Sequence, residues 1–256
     1  MKLISHSIPE DHGYIIPIGD LHVGDKAFGA RGKRKLKGYI DWVMDHPNAF
    51  VFLMGDILNC ASRHSKTSPF ESSSDEYEYA VELFKPVKSR VIGCITGNHE
   101  NRVVDSFGFN PLQSFCRELG FPYLGTSAVI RVRVGAREQD SNWYQQIYHL
   151  YAHHTTGGGG SLGSALNRVT KLQDIVQNID VYMGGHNHNL VNGVRTVYRP
   201  GRSKMEEHKI HYVDCGSYLE YTESYAEASM FTPGKLGSPR IRLSGVRDHH
   251  DIHVSL

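Results

Sequence analysis

Short apolar runs that stop at a glycine or a carboxylate set the rhythm of the first half of the chain. Residues 14–19 (YIIPIG) end at Asp20, 49–54 (AFVFLM) at Gly55 and Asp56, and 90–96 (RVIGCIT) at Gly97 and Asn98. Each has the length of a strand, and the lack of polar alternation fits a sheet covered on both faces. Pro17 removes a ladder donor, which predicts an edge strand or a local ladder there. Between the runs, 35–46 places Leu36, Tyr39, Ile40, Val43 and Met44 on one helical side, with Pro47 as the stop. Residues 75–88 form a less regular helical pattern around Tyr79, Val81, Leu83, Phe84 and Val87. Alternating strands and helices predict an α/β fold with polar residues gathered at the carboxyl ends of the strands.

The second half is richer in strand signals. A short helix is expected at 111–119, with Pro111 in its first turn, and SAVIRVRV at 127–134 alternates as a half-exposed strand. Residues 145–152 make another strand, ending at His153. A glycine loop at 157–160 leads to a helical stretch through Asp174, and 179–183 (IDVYM) runs into Gly184 and His186. Runs at 190–198, 208–214 and 225–231 suggest mixed or antiparallel sheet. The Ser- and Lys-rich stretch 59–76 reads as a long surface loop, 232–239 as a turn, and the basic, His-rich stretch from Arg240 to His253 as a solvated tail. Without repeats or an evident linker, residues 1–256 are expected to form one domain.

Composition narrows the classes. Hydrophobic residues are 39% and charged residues 21% of 256, as in a globular protein, and the net charge of +1 carries no global nucleic-acid signature. No apolar run reaches membrane-spanning length, and the start lacks a signal-peptide pattern. Four dispersed cysteines, Cys60, Cys94, Cys116 and Cys215, read as reduced thiols of a cytoplasmic protein. Histidine is the outlier at 16 residues. It is the common neutral ligand for transition metals and the proton carrier near pH 7.

The histidines and carboxylates sit at the strand ends in a fixed order: Gly-Asp20-Leu-His22, Gly55-Asp56-Ile-Leu-Asn59, Gly97-Asn98-His99-Glu100, His153-His154, and Gly184-Gly185-His186-Asn187-His188. In extended backbone, i and i+2 share a face, so Asp20 with His22, and His186 with His188, can each converge. Asp56, central in the set, is the candidate for a carboxylate shared between two cations. All five blocks, from residue 19 to 188, resemble the calcineurin-like metallophosphoesterase superfamily.

That resemblance implies a two-sheet β-sandwich flanked by helices, in four layers, holding two divalent ions, Mn²⁺ foremost and Zn²⁺ or Fe as alternatives. It implies metal ligands Asp20, His22, Asp56, Asn98, His153, His186 and His188, and catalytic roles for Asp56 and for His99 beside the leaving group. His153 is taken as the ligand of the His-His pair on the family's habit of using the first residue. His154 then becomes a substrate contact with Asn101, Arg102, Arg63 and His64, while Asn59 and Glu100 support the ligands from behind. The implied reaction is direct attack of water on a phosphate ester without a covalent enzyme intermediate.

Phosphodiesterase or nuclease activity on nucleotide or nucleic-acid esters is the leading expectation. Phosphomonoesterase activity, including protein phosphatase, is the second. A catalytically silent metal-binding interaction module is a third, from a different class. No membrane partner is expected, and a homo-oligomer is compatible with the sequence.

Overall fold

The computed structural model describes residues 1–61, 72–135, 144–157, 161–247 and 249–256. Two mixed sheets face each other. Strands β1 (Lys2–Ile8), β2 (His12–Ile18), β3 (Ala49–Leu53), β4 (Val91–Cys94), β5 (Ser127–Val134), β6 (Gln146–His153), β7 (Val181–Gly184), β8 (Leu190–Pro200), β9 (Met205–Cys215), β10 (Arg240–Ser244) and β11 (Ile252–Ser255) divide between them. One sheet runs β1-β5-β6-β7-β9-β8 and the other β11-β10-β2-β3-β4. Helices α1 (Ala30–Asp45), α2 (Ser73–Phe84), α3 (Asn98–Phe107), α4 (Pro111–Leu119), α5 (Leu162–Lys171) and the single turn α6 (Tyr225–Ala228) fill the connections.

Strand parity builds the layers. Ile15, Phe52 and Met54 point between the sheets, against Ile130, Leu150, Ala152 and Met183. Ile16, Ile18, Val51 and Leu53 point the other way, onto Leu36, Ile40 and Val43 of α1, Phe84 of α2 and Phe115 of α4. The outer face of the larger sheet buries Tyr151, Tyr182 and Tyr212 against Val169 of α5. Both faces of β2 and β3 are therefore covered, which is why their sequences are apolar without alternation. Each fully buried aliphatic or aromatic side chain here contributes about 1.5–3 kcal/mol.

Several expectations need correction. Of the two readings of Pro17, the edge strand is wrong and the local ladder holds: β2 is central, pairing with β3 from Tyr14 to Ile18 but with β10 only from His12 to Ile15. Pro17 is accommodated because the β10 ladder has ended before it. The presumed tail is β10 and β11, and β10 packs directly on β2. Residues 225–231 hold the α6 turn rather than a strand. β1, absent from the sequence reading, pairs in parallel with β5. Helix α1 begins at Ala30 rather than 35, and α3 starts at Asn98 with Glu100 in its first turn.

Candidate metal centre

The carboxyl ends of β2, β3, β4, β6 and β7 meet at one rim of the sandwich. Loops after β2 and β3 continue side by side: the amides of Leu21 and His22 donate to the Asp56 carbonyl at 2.9 and 3.0 Å. Asp20, His22, Asp56, His186 and His188 all adopt the left-handed backbone region, with φ of 50°, 47°, 50°, 76° and 55°. Each such non-glycine residue costs on the order of 1 kcal/mol or more, a cost that persists only where the surrounding structure fixes it. Gly55 and Gly97 allow the crossing of loops: a Cβ on Gly97 would lie 2.1 Å from Asp56 Oδ1, and one on Gly55 2.4 Å from the Gly97 nitrogen.

Three overlapping sets bring ligand atoms within 4.8 Å of one another: Asp20, His22 and His188; His22, Asp56 and His99; and Asp56, His154 and His186. Asp56 Oδ2 lies 3.2 Å from His154 Nε2 and 3.7 Å from His22 Nε2. Asn98 Oδ1 is 2.7 Å from His186 Nδ1 and 3.2 Å from His154 Nε2. The Nε2 atoms of His22 and His188 stand 3.1 Å apart, and His188 Nε2 is 3.3 Å from Asp20 Oδ1. Imidazole nitrogens and carboxylate oxygens thus converge from five separate strand ends. That donor set suits Mn, Fe or Zn, so the residues fit a pair of transition-metal ions.

The sequence reading placed His153 in this group, and the geometry places His154 there instead. Along β6, Tyr148, Leu150 and Ala152 face the inter-sheet core, whereas Tyr151 faces the outer layer. Continuing that alternation, His154 turns inward and His153 outward. His154 is buried and anchors Nδ1 on the Met54 carbonyl at 2.7 Å. His153 is half-buried, and its Nδ1 has no hydrogen-bond partner.

Burial and mutual charge shape the titration of the metal-free cluster. Burial pushes the Asp20 carboxyl up, but the hydrogen bond from His188 and the charges of His154 and His188 outweigh it, holding the group at about 2. Burial likewise opposes ionisation of Asp56, and the neighbouring His154 pulls its pKa well below the usual range. For His154, burial works downward and is overcome by Asp56 and then Asp20, giving about 10. Burial dominates at His22, lowered to about 3, and it also lowers His99 and His186.

Glu100 supports the centre from below. Its buried carboxylate accepts the amides of Ile57 (2.7 Å), Leu58 (3.0 Å), Gly97 (3.0 Å) and Asp56 (3.1 Å), stapling the Asp56 loop to the start of α3. Asn59 contributes its carbonyl, which accepts from His99 Nδ1 at 2.7 Å. Since a carbonyl only accepts, Nδ1 carries a proton and Nε2 is the ring atom left available. The His99 amide donates to Asp56 Oδ1 at 2.9 Å.

Sequence reasoning missed a buried support behind His186 and His188. Asn187 donates to Asp214 at 2.6 Å and to the Gly185 carbonyl at 3.1 Å, and it receives Arg168 on its Oδ1. Burial, reinforced by the Asp20 charge against the opposing Asn187 bond, raises Asp214 to about 7. The signal was present: Tyr-Val-Asp214-Cys-Gly repeats the pattern of an apolar run, an aspartate and a glycine. Arg102 and Arg168 both line the cavity over the centre, while Asn101 is half-buried outside it. Arg63 and His64 lie outside the described residues.

The sequence model of the calcineurin-like phosphoesterase family matches residues 14–190. The chain belongs to that family. No curated protein matches it by sequence. Solved structures with a similar arrangement include a Bacillus subtilis calcineurin-like phosphoesterase, YfkN, at 10% identity and TM-score 0.39, covering 80% of this chain and 91% of that one. The Plasmodium inner-membrane-complex anchor GAP50 aligns at 9% identity and TM-score 0.49, over 92% and 82% of the two chains. The Haemophilus influenzae NAD nucleotidase aligns at 11% identity and TM-score 0.40, over 96% of this chain and 49% of that one. Such likenesses are too distant to inform function. The family assignment rests on the sequence model, and the His and Asp clusters give this family member a metal-binding site compatible with dinuclear phosphoesterase chemistry.

Proposed function

We propose that this chain is a dinuclear-metal phosphodiesterase acting on nucleotide or nucleic-acid esters. The carrying observation is that Asp56 and His22 are each shared between ligand sets that form the floor of a cavity of about 550 Å³. One ion would be held by Asp20, His22, His188 and Asp56, and the second by Asp56, Asn98, His154 and His186. Bound there, a divalent pair would supply Lewis acidity toward a phosphoryl oxygen and lower the pKa of a water. Mn²⁺ is the expected metal, with Zn²⁺ and Fe as alternatives.

The chain's own groups do the rest. Arg102 on the cavity wall presents guanidinium donors to phosphoryl oxygens, and Arg168 adds positive charge there while bracing Asn187. His99, whose Nδ1 proton is held by the Asn59 carbonyl, would serve the departing oxygen as the imidazolium, its Nε2 proton favoured by the Asp56 charge against burial. Leu219, Tyr221 and Phe231 add apolar lining to the cavity, which accommodates a nucleoside-sized ester group. The setting we propose is cytoplasmic, on the four dispersed cysteines that form no disulfide among the described residues.

A panel with added Mn²⁺ tests this reading, using bis-p-nitrophenyl phosphate, p-nitrophenyl phosphate, cyclic nucleotides, and single- and double-stranded DNA. Hydrolysis of the diester and of DNA, abolished by chelation, is expected. Turnover confined to monoesters would replace the reading with a phosphomonoesterase. Metal uptake without turnover of any ester would identify a silent binding module.

A further inference from the structure

Beside the metal cavity lies a second recess, of about 600 Å³, which shares Gly234, Lys235 and Leu236 with it. Its lining is strongly cationic: Arg31, Arg34 and Lys35 from α1, Lys235 from the shared segment, and Arg240 from the start of β10. Residues 31, 34, 35 and 38 follow helical spacing, so the three α1 cations share one face with Gly38, where no atom lies within 4 Å of an added Cβ. That face stays open to an incoming chain.

The charge arrangement is selective. On α1, Lys37 is neutralised by Asp41 at 2.6 Å. Among the described residues, Arg31, Arg34 and Lys35 form no ion pair with a carboxylate. The Arg240 guanidinium lies 4.6 Å from the Trp42 ring and 5.3 Å from Tyr39, and its buried Nε has no partner. Lys235 spends one donor on the Leu256 oxygen at 2.9 Å. Five cations thus sit together in a chain whose net charge is only +1.

Building on the phosphodiesterase reading, we propose that a single-stranded nucleic acid runs from the metal cavity past residues 234–236 onto the basic face of α1, its phosphates meeting Arg31, Arg34 and Lys35. An acidic peptide would match the charge but would not need continuity with a phosphoester site. A duplex is disfavoured, because the metal cavity at about 550 Å³ admits a nucleotide or two rather than a helix about 20 Å wide. Tyr221 and Phe231 on the cavity wall supply ring faces on which unpaired bases stack.

The test compares the wild type with the double variant Arg34→Glu/Lys35→Glu. Its substrates are bis-p-nitrophenyl phosphate and labelled oligothymidylates of ~3 and ~12 nucleotides, lengths that bracket common single-strand site sizes. Small-diester turnover should stay within about twofold, while kcat/KM for the longer strand falls about tenfold or more, as two lost phosphate contacts imply. The log–log salt dependence of its binding, followed by anisotropy with chelator present, should become shallower by about 1.4, at roughly 0.7 per phosphate. Equal losses on the short and long strands, an unchanged salt slope, or displacement of the long strand by an acidic peptide but not by unlabelled DNA would overturn the proposal. Failure of the phosphodiesterase reading shows separately, as wild-type inactivity on the small diester, while the anisotropy experiment still reads the basic track.

Discussion

Replacing His154 and His153 separately by alanine asks which of two adjacent histidines belongs to the centre. In the metal-free chain, the His154 ring is the cation nearest the buried Asp56 carboxylate, at 3.2 Å, and it also bonds the Met54 carbonyl. Removing one member of a buried pair leaves the other uncompensated, which costs about 3–5 kcal/mol. At about 2–4 °C per kcal/mol for a chain of this size, His154→Ala should lower the metal-free Tm by about 6–20 °C. His153→Ala removes a half-buried ring whose Nδ1 is already unpartnered, so its effect should stay within about 0.5 kcal/mol. Thermal unfolding with chelator present reads the first quantity. The same assay reads the His153→Ala shift, and elemental analysis after Mn²⁺ loading reads metal content, where only His154→Ala should lose about one ion per chain. Comparable losses from His153→Ala, in either assay, would refute the parity argument.

Glu100→Gln should destabilise the fold by about 3–5 kcal/mol at mildly alkaline pH, because one amide oxygen cannot replace a carboxylate accepting four backbone amides; denaturant unfolding unchanged from wild type would show that the staple carries little energy. His99→Ala should keep its metal and lose kcat chiefly on esters with poor leaving groups, and equal losses across a leaving-group series would remove the proton-donor role. Metal loading near pH 7 should release a proton, since His154 titrates at about 10 without metal and must be neutral to ligate. Manganese titration calorimetry in buffers of different ionisation heat checks this, and a buffer-independent heat argues against it. In the metal-free fold, protonated His154 contributes stability fully below its ordinary 6.5, and that contribution is lost as pH climbs through about 10.

The strand-end blocks were legible in the sequence because each is a local statement: an apolar run buries a strand, a glycine lets backbones cross, and a ligand follows. Their order across residues 19–188 carried the resemblance that the family match bears out. The sandwich of two sheets followed from it, whereas the hold of Glu100 on the backbone amides of the Asp56 loop is a contact between distant segments that the local sequence does not specify. Other features depended on which parts of the chain meet. Which of His153 and His154 turns inward depends on which face of β6 meets the other sheet, and one residue of register reverses that answer. Pro17 could sit in a central strand because β10, arriving from more than two hundred residues away, stops short of it. Asp214 and Arg168 entered the site only once β9 and α5 packed behind His186 and His188. The basic track exists only because the β10 segment, which read as a loose tail, folds back against α1 and sets Arg240 and Lys235 beside Arg31, Arg34 and Lys35. Charges far apart in sequence act as one surface only when tertiary packing brings them within a screening length.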